Sequence, residues 1–194
     1  MTTYRDRFMA TLRNMFLSLS VMVEENLQLA TSSVLQSKPE NIQLVTEKDS
    51  KIDEMEITVE EECLKTIAMY QPVANELRFI VSILKVNNDL ERIGDLAVNI
   101  VRKSKVLPAN TEFEDFSLPQ MVEKTLEMFH LSLDAFIKMD TDLATRVCQM
   151  DDEVDKLKFE IKQLAVRRMT EHPDQIETYL GLMLTARDLE RVAD

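Results

Sequence analysis

Four pairs of carboxylic acids carry the chemistry this chain could do: Asp49/Asp53, Glu91/Asp95, Asp151/Asp155 and Glu190/Asp194, each pair spaced by four. Residues four apart on a helix are neighbours on one face, with Cβ atoms about 5–6 Å apart. Two like charges so placed repel by a few tenths of a kcal/mol, so keeping four such pairs needs a return. Oxygen ligands gathered on one face suit a hard cation, whose charge turns the mutual repulsion into attraction. Asn99, one turn beyond Asp95, offers a further neutral oxygen. Gly94 and Ala193 stand immediately before the Asp of their pairs and leave room for close approach. A glycine inside a helix costs about 1 kcal/mol relative to alanine, so Gly94 calls for a reason of this kind.

The elements that must position these acids are helices. The chain has 194 residues with only 2 Gly and 5 Pro, too little turn chemistry for many short strands. Phe8, Leu12, Met15, Leu19 and Met22 alternate at spacings of four and three, predicting an amphipathic helix to about Gln36. Pro39 suits the first turn of a second helix that runs to about Tyr70 with Val45, Ile52, Val59 and Cys63 as its stripe. After the break at Gln71-Pro72, a third helix is expected from about Val73 to Lys103. Its stripe of Phe79, Ile83, Val86, Leu90, Ile93, Ala97 and Ile100 should face the core, with Glu91 and Asp95 away from it. Residues 107–120 (LPANTEFEDFSLPQ) read as a linker. Helices from Met121 to Met139, from Thr141 to Thr170, and from about Asp174 to the end complete the set.

The second half repeats the first. Asp151 lies 102 residues after Asp49, Glu190 lies 99 after Glu91, and Pro72 and Pro173 fall at equivalent breaks. The expected fold is all-α, two tandem duplicated three-helix bundles, with residues 1–106 forming the first and 107–194 the linker and second. Consecutive helices of such a bundle are antiparallel. That places Asp49/Asp53 beside Glu91/Asp95, and Asp151/Asp155 beside Glu190/Asp194.

Charge and composition exclude other classes. A formal net charge of -12 argues against nucleic acid, which is bound by neutralising phosphates with Lys and Arg. Cys63 and Cys148 form no CxxC pair and are expected to be two buried thiols in a reducing cytosol. With no signal peptide and no apolar run long enough to span a bilayer, the expected compartment is the cytoplasm. No Gly-rich phosphate loop and no Ser/His/Asp or Cys/His set occurs. One Glu-x-x-His motif, Glu127 to His130, lacks the partner that a ferritin-like di-metal oxidase needs. His130 is therefore expected on a helix surface or at an interface, and the Met residues mostly as core filler.

DLERIGDLAVNI at residues 89–100 and RDLERVAD at 187–194, with PVANELR at 72–78, resemble the PhoU family, over essentially the whole chain. That resemblance implies two similar three-helix bundles whose acid pairs bind multinuclear metal clusters at the surface. Carried over, the ligands would be Asp49, Asp53, Glu91, Asp95 and Asn99, then Asp151, Asp155, Glu190 and Asp194. Iron, magnesium, manganese and zinc are the candidate ions. The resemblance further implies a non-enzymatic negative regulator of phosphate uptake. It would link the ATPase subunit of a phosphate ABC transporter to a sensor histidine kinase, meeting the membrane only through partners, and a homodimer is the expected assembly. Relatives continue the last helix past the position of Asp194, including an Asn matching Asn99. Either the chain is a piece or its second site is incomplete. The rival readings are a di-metal carboxylate oxidase, a metal-free helical adaptor that binds a basic surface, and the cytosolic domain of a sodium–phosphate cotransporter. The start of helix one a few residues after Met1 speaks against the last.

Overall fold

The computed structural model describes residues 4–108, 111, 113 and 115–194, with side chains from Arg7 onward. Six long helices account for most of them: α1 Tyr4–Leu35, α2 Ile42–Tyr70, α3 Asn75–Arg102, α4 Leu118–Lys138, α5 Thr141–Glu171 and α6 Ile176–Ala193. Helices α1, α2 and α3 pack on one another, as do α4, α5 and α6; the two bundles meet along α1 with α4 and α3 with α6. The fold is all-α, with no strand among the described residues.

Helices α2 and α5 are each held by a narrow buried line. On α2 this is Val45, Ile52, Val59 and Cys63; on α5 the equivalent Val147, Val154, Ile161 and Ala165. These pairs keep the offset of 102 without a gap, so the duplication holds in packing as well as in sequence. A line this narrow leaves most of α2 and α5 facing water, as suits two helices so rich in charge.

Helix α3 follows expectation in part: Ile83, Leu90, Ala97 and Ile100 are buried as expected, and Ile80, Asn87, Gly94 and Val101 are buried beside them. Phe79, Val86 and Ile93 are only partly buried. They lie one residue to the side because α3 serves two neighbours. One face meets α1 and α2, and the other turns toward the second bundle, where Phe79 stacks on Phe136 of α4 at 6.0 Å. A two-sided helix has a broad apolar arc, and periodicity alone does not say where its centre lies.

The linker is shorter than its composition suggests. Pro119 lies in the first turn of α4, which starts at Leu118, where proline's missing N–H costs nothing. Leu107, Phe113, Phe116 and Leu118 are buried, and Phe116 stacks on Tyr179 at 5.9 Å. Positions 109, 110, 112 and 114 lie outside the described residues.

Gly181 belongs to the same contact. A Cβ there would stand 2.8 Å from Val106 Cγ2 and 3.4 Å from Leu107 Cδ2, so the start of the linker packs directly on the α6 backbone. Gly181→Ala gains about 1 kcal/mol of helix propensity but overpacks this contact at a cost of about 1–3 kcal/mol. We expect a net loss on the order of 1 kcal/mol in urea denaturation. A stabilised variant would show that Val106 simply moves aside.

Cys63 is buried, and burial, with Glu62 and Glu60 nearby, pushes its thiol up to about 12. Cys148, expected to be buried, is exposed. It stands one residue past Val147 in the buried line of α5, on the outer side of the helix. Met121 and Met128 are in the core, whereas Met69 and Met139 are exposed. Among the described residues no helix is long and apolar enough to cross a membrane.

Candidate metal centres

The antiparallel packing of α2 on α3 brings the first two acid pairs into one electrostatic group. Asp49 feels Asp53, Asp95 and Glu91; Asp53 feels Asp95; Glu91 feels Asp95, Asp53 and Glu56. Asp53 and Asp95 are exposed, and Asp49 and Glu91 are half-buried. Asp49 Oδ1 is fully enclosed with no hydrogen-bond partner.

Gly94 explains that enclosure. A Cβ on Gly94 would come within 2.7 Å of Asp49 Oδ1 and 3.5 Å of Ile52 Cγ2. The Asp49 carboxylate therefore rests on bare α3 backbone, in space that alanine would fill. Here is the return for a glycine in mid-helix.

Two further residues belong to this cluster. Asn87, buried on α3 one turn before Glu91, donates from Nδ2 to the Glu56 carbonyl at 3.0 Å and to Glu56 Oε1 at 2.9 Å. Its own Oδ1 is buried and unpartnered. Glu56 is thereby fastened beside Asp53, and its carboxyl is raised by burial, then by Glu60 and Asp53. The signal in the sequence was Asn87 at i−4 from Glu91, continuing the face of the acid pair. Asn99 is half-buried one turn beyond Asp95, and its carbonyl accepts from Lys103 Nζ at 2.9 Å.

Desolvation is the largest cause raising Asp49, followed by Asp53, Asp95 and Glu91, with Arg102 opposing; its carboxyl is raised from 3.8 to about 6. Between about pH 4 and 6 the folded chain therefore holds a proton there that the unfolded chain has released. Below about pH 4 both states are protonated and nothing is lost. Stability declines as pH rises through 4 to 6 and stays lower above that. The full shift would be worth close to 3 kcal/mol, but a carboxyl that is only half-buried is partly screened, leaving on the order of 1 kcal/mol. Asp49→Asn is expected to abolish that decline and to be more stable by about this amount at pH 7.5 in chelator. A decline of unchanged depth in the variant would assign it to other acids.

The second cluster is built alike from α5 and α6. Asp151 is raised chiefly by burial, then by Asp155, Asp194, Asp152 and Glu190, and its Oδ1 is again buried without a partner. The difference lies in one cation. Lys158 Nζ donates to Asp155 Oδ1 at 2.7 Å and to Glu190 Oε1 at 2.6 Å. Asp188, buried between Lys103 at 3.6 Å and Arg187 at 3.1 Å, is a separate structural ion pair.

Among the described residues no three Asp, Glu, His or Cys side chains converge tightly enough to enclose an ion. The test of fit is therefore the donor set and the space. In the first cluster an orphaned carboxylate oxygen, a cradle kept open by Gly94 and an all-oxygen donor set fit a hard cation. In the second a lysine already takes two of the oxygens. His130 is exposed on α4, with Nδ1 3.1 Å from Glu24 Oε1 on α1.

Comparison with known proteins accords with this architecture. The PhoU domain model matches residues 16–104 and 118–194. The chain is 38% identical over 175 residues to "Phosphate-specific transport system accessory protein PhoU homolog 1" of Thermotoga maritima, covering 89% of this chain and 75% of that one. It is 35% identical over 192 residues to the PhoU accessory protein of Serratia marcescens, covering 94% and 76%. Among solved structures, PhoU from Pseudomonas aeruginosa superposes with a TM-score of 0.91 at 30% identity, covering 97% of this chain and 91% of that chain. PhoU from Streptococcus pneumoniae, a phosphate transport system regulatory protein, gives 0.89 at 26% identity, covering 98% and 90%.

Proposed function

As the chain belongs to the PhoU family, we propose that it is a metal-binding adaptor that lowers phosphate uptake and the phosphate-starvation response. The similar proteins are named accessory proteins of the phosphate-specific transport system, which supports a part in regulating phosphate transport. The finer roles follow from the site. The observation that carries the metal reading is the Asp49 carboxylate held against bare backbone at Gly94, among acids it can only repel.

Asp49, Asp53, Glu91 and Asp95, with Glu56 beside them, would hold the ion, and Asn99 is in reach of the same face. A bound metal would supply positive charge against this repulsion, held by acids from both α2 and α3. The chain's own residues do the rest. Asn87 fixes Glu56, and Gly94 sets how deep Asp49 sits. Iron, magnesium, manganese and zinc all remain candidates for the ion, with oxygen donors favouring the harder ones. The acidic surface is the feature a basic partner face would meet, either the transporter's ATPase subunit or a sensor histidine kinase. We propose a cytoplasmic homodimer that reaches the membrane through these partners.

The experiment is surface-immobilised ATPase subunit titrated with this chain, in Mn²⁺ and again in EDTA. Specific binding that weakens at least several-fold in EDTA is expected. Equal binding in both would assign the chain to a metal-free adaptor, and no binding would overturn the transporter link. The oxidase reading has nothing to stand on at His130, which lies on the outer surface against Glu24.

A further inference from the structure

The two clusters occupy equivalent places but are not equivalent in charge. Along α2 and α5 the offset of 102 pairs Asp49 with Asp151, Asp53 with Asp155 and Glu56 with Lys158. The buried residues Ile52 and Val154, and Val59 and Ile161, flank these positions with the same offset. One position thus carries an anion in the first bundle and a cation in the second. In the first, Glu56 is tied back to Asn87. In the second, Asn87 is replaced at its offset of 99 by the buried Ala186, and nothing of that kind restrains the side chain. Lys158 instead reaches across the helix interface. Its ammonium bridges Asp155 of its own helix at 2.7 Å and Glu190 of α6 at 2.6 Å, and it is only one-third exposed.

We propose that Lys158 is a tethered cation that occupies the second carboxylate cluster, so that the chain takes a divalent metal ion in its first bundle and not in its second. The inference rests on the metal reading of the first cluster given above. An ion entering the second cluster must displace an ammonium from two of its oxygens, and would then face that ammonium at close range. Like charges at such distances repel strongly even where solvent partly screens them, enough to close a site whose ligands would otherwise suffice. The lysine does for α5 and α6 what a bound metal would do for α2 and α3: it pairs with an acid from each helix and braces them together. Bracing of one half is then permanent and that of the other conditional on the ion.

The test uses the full chain and Mn²⁺, with free ion followed by its electron paramagnetic resonance signal. The unmodified chain should show one class of sites, abolished by Asp53→Asn with Asp95→Asn and untouched by Asp155→Asn. Lys158→Gln and Lys158→Glu should each add a second class, abolished by Asp155→Asn, with affinity at least on the order of tenfold above any residual uptake there. A second measurement needs no metal. In EDTA, Lys158→Gln should lower the melting temperature by roughly 2–4 °C, and Mn²⁺ should restore it. Uptake by the unmodified chain that falls with Asp155→Asn would overturn the closed second site and leave the first standing. So would Lys158 variants that gain no uptake, or a melting temperature unchanged in EDTA. No uptake by any variant or by the unmodified chain would overturn the metal reading itself, and this inference with it.

Discussion

Phe16→Ala is expected to remove about 3–5 kcal/mol of stability, a large share of the 5–15 kcal/mol typical of a native protein. Phe16 is 1% exposed at the centre of the first bundle. Its ring lies 5.0 Å from that of Phe136 on α4, which in turn stacks on Phe79. Alanine would therefore open a cavity and also withdraw one of three rings that join the bundles. Equilibrium urea denaturation measures the loss. Below about 1 kcal/mol, Phe136 and its neighbours must have collapsed into the space, and the three-ring contact would not be a structural joint.

Asp53→Asn combined with Asp95→Asn should move two quantities in opposite directions. Two unit charges leave the first cluster, so the chain in EDTA becomes more stable by several tenths of a kcal/mol as repulsion is relieved. Affinity for Mn²⁺ falls at least about 100-fold, because each lost carboxylate removes on the order of 1–2 kcal/mol of attraction even after solvent screening. Thermal melts with and without Mn²⁺ read both at once. The melting temperature in EDTA rises, and the rise that metal gives the unmodified chain disappears. If both melting temperatures fall together, the acids hold the fold by contacts of their own and the cluster is not a cation site.

Much of this was legible in the sequence because a duplication doubles every signal. The six helices, their breaks at Pro39, Pro72 and Pro173, and the pairing of α2 with α3 and α5 with α6 all followed from period and repeat. What escaped was whatever depends on which neighbour a face meets. The line Ile80, Asn87, Gly94 could not be placed at the centre of α3 while Phe79 and Val86 looked equally apolar. Its true position hangs on a second bundle that helical periodicity cannot see. Leu118 starts α4 because Phe113 and Phe116 anchor the turn ahead of it, and a proline-containing stretch hides such anchors. At the site, the role of Gly94 was legible from type and position alone. Lys158 was not. Three residues after Asp155 it reads as an ordinary helix-surface pair, and only packing shows that its ammonium spans to Glu190.

The two cysteines differ in a way that serves the chemist. With Cys63 enclosed and its thiol held far from ionisation, Cys148 is the thiol that a maleimide can reach. A fluorophore attached there sits three residues from Asp151, on the neighbouring turn of α5. Unmodified protein would thus accept a single reporter dye beside the cluster that Lys158 fills, and every carboxylate would stay in place.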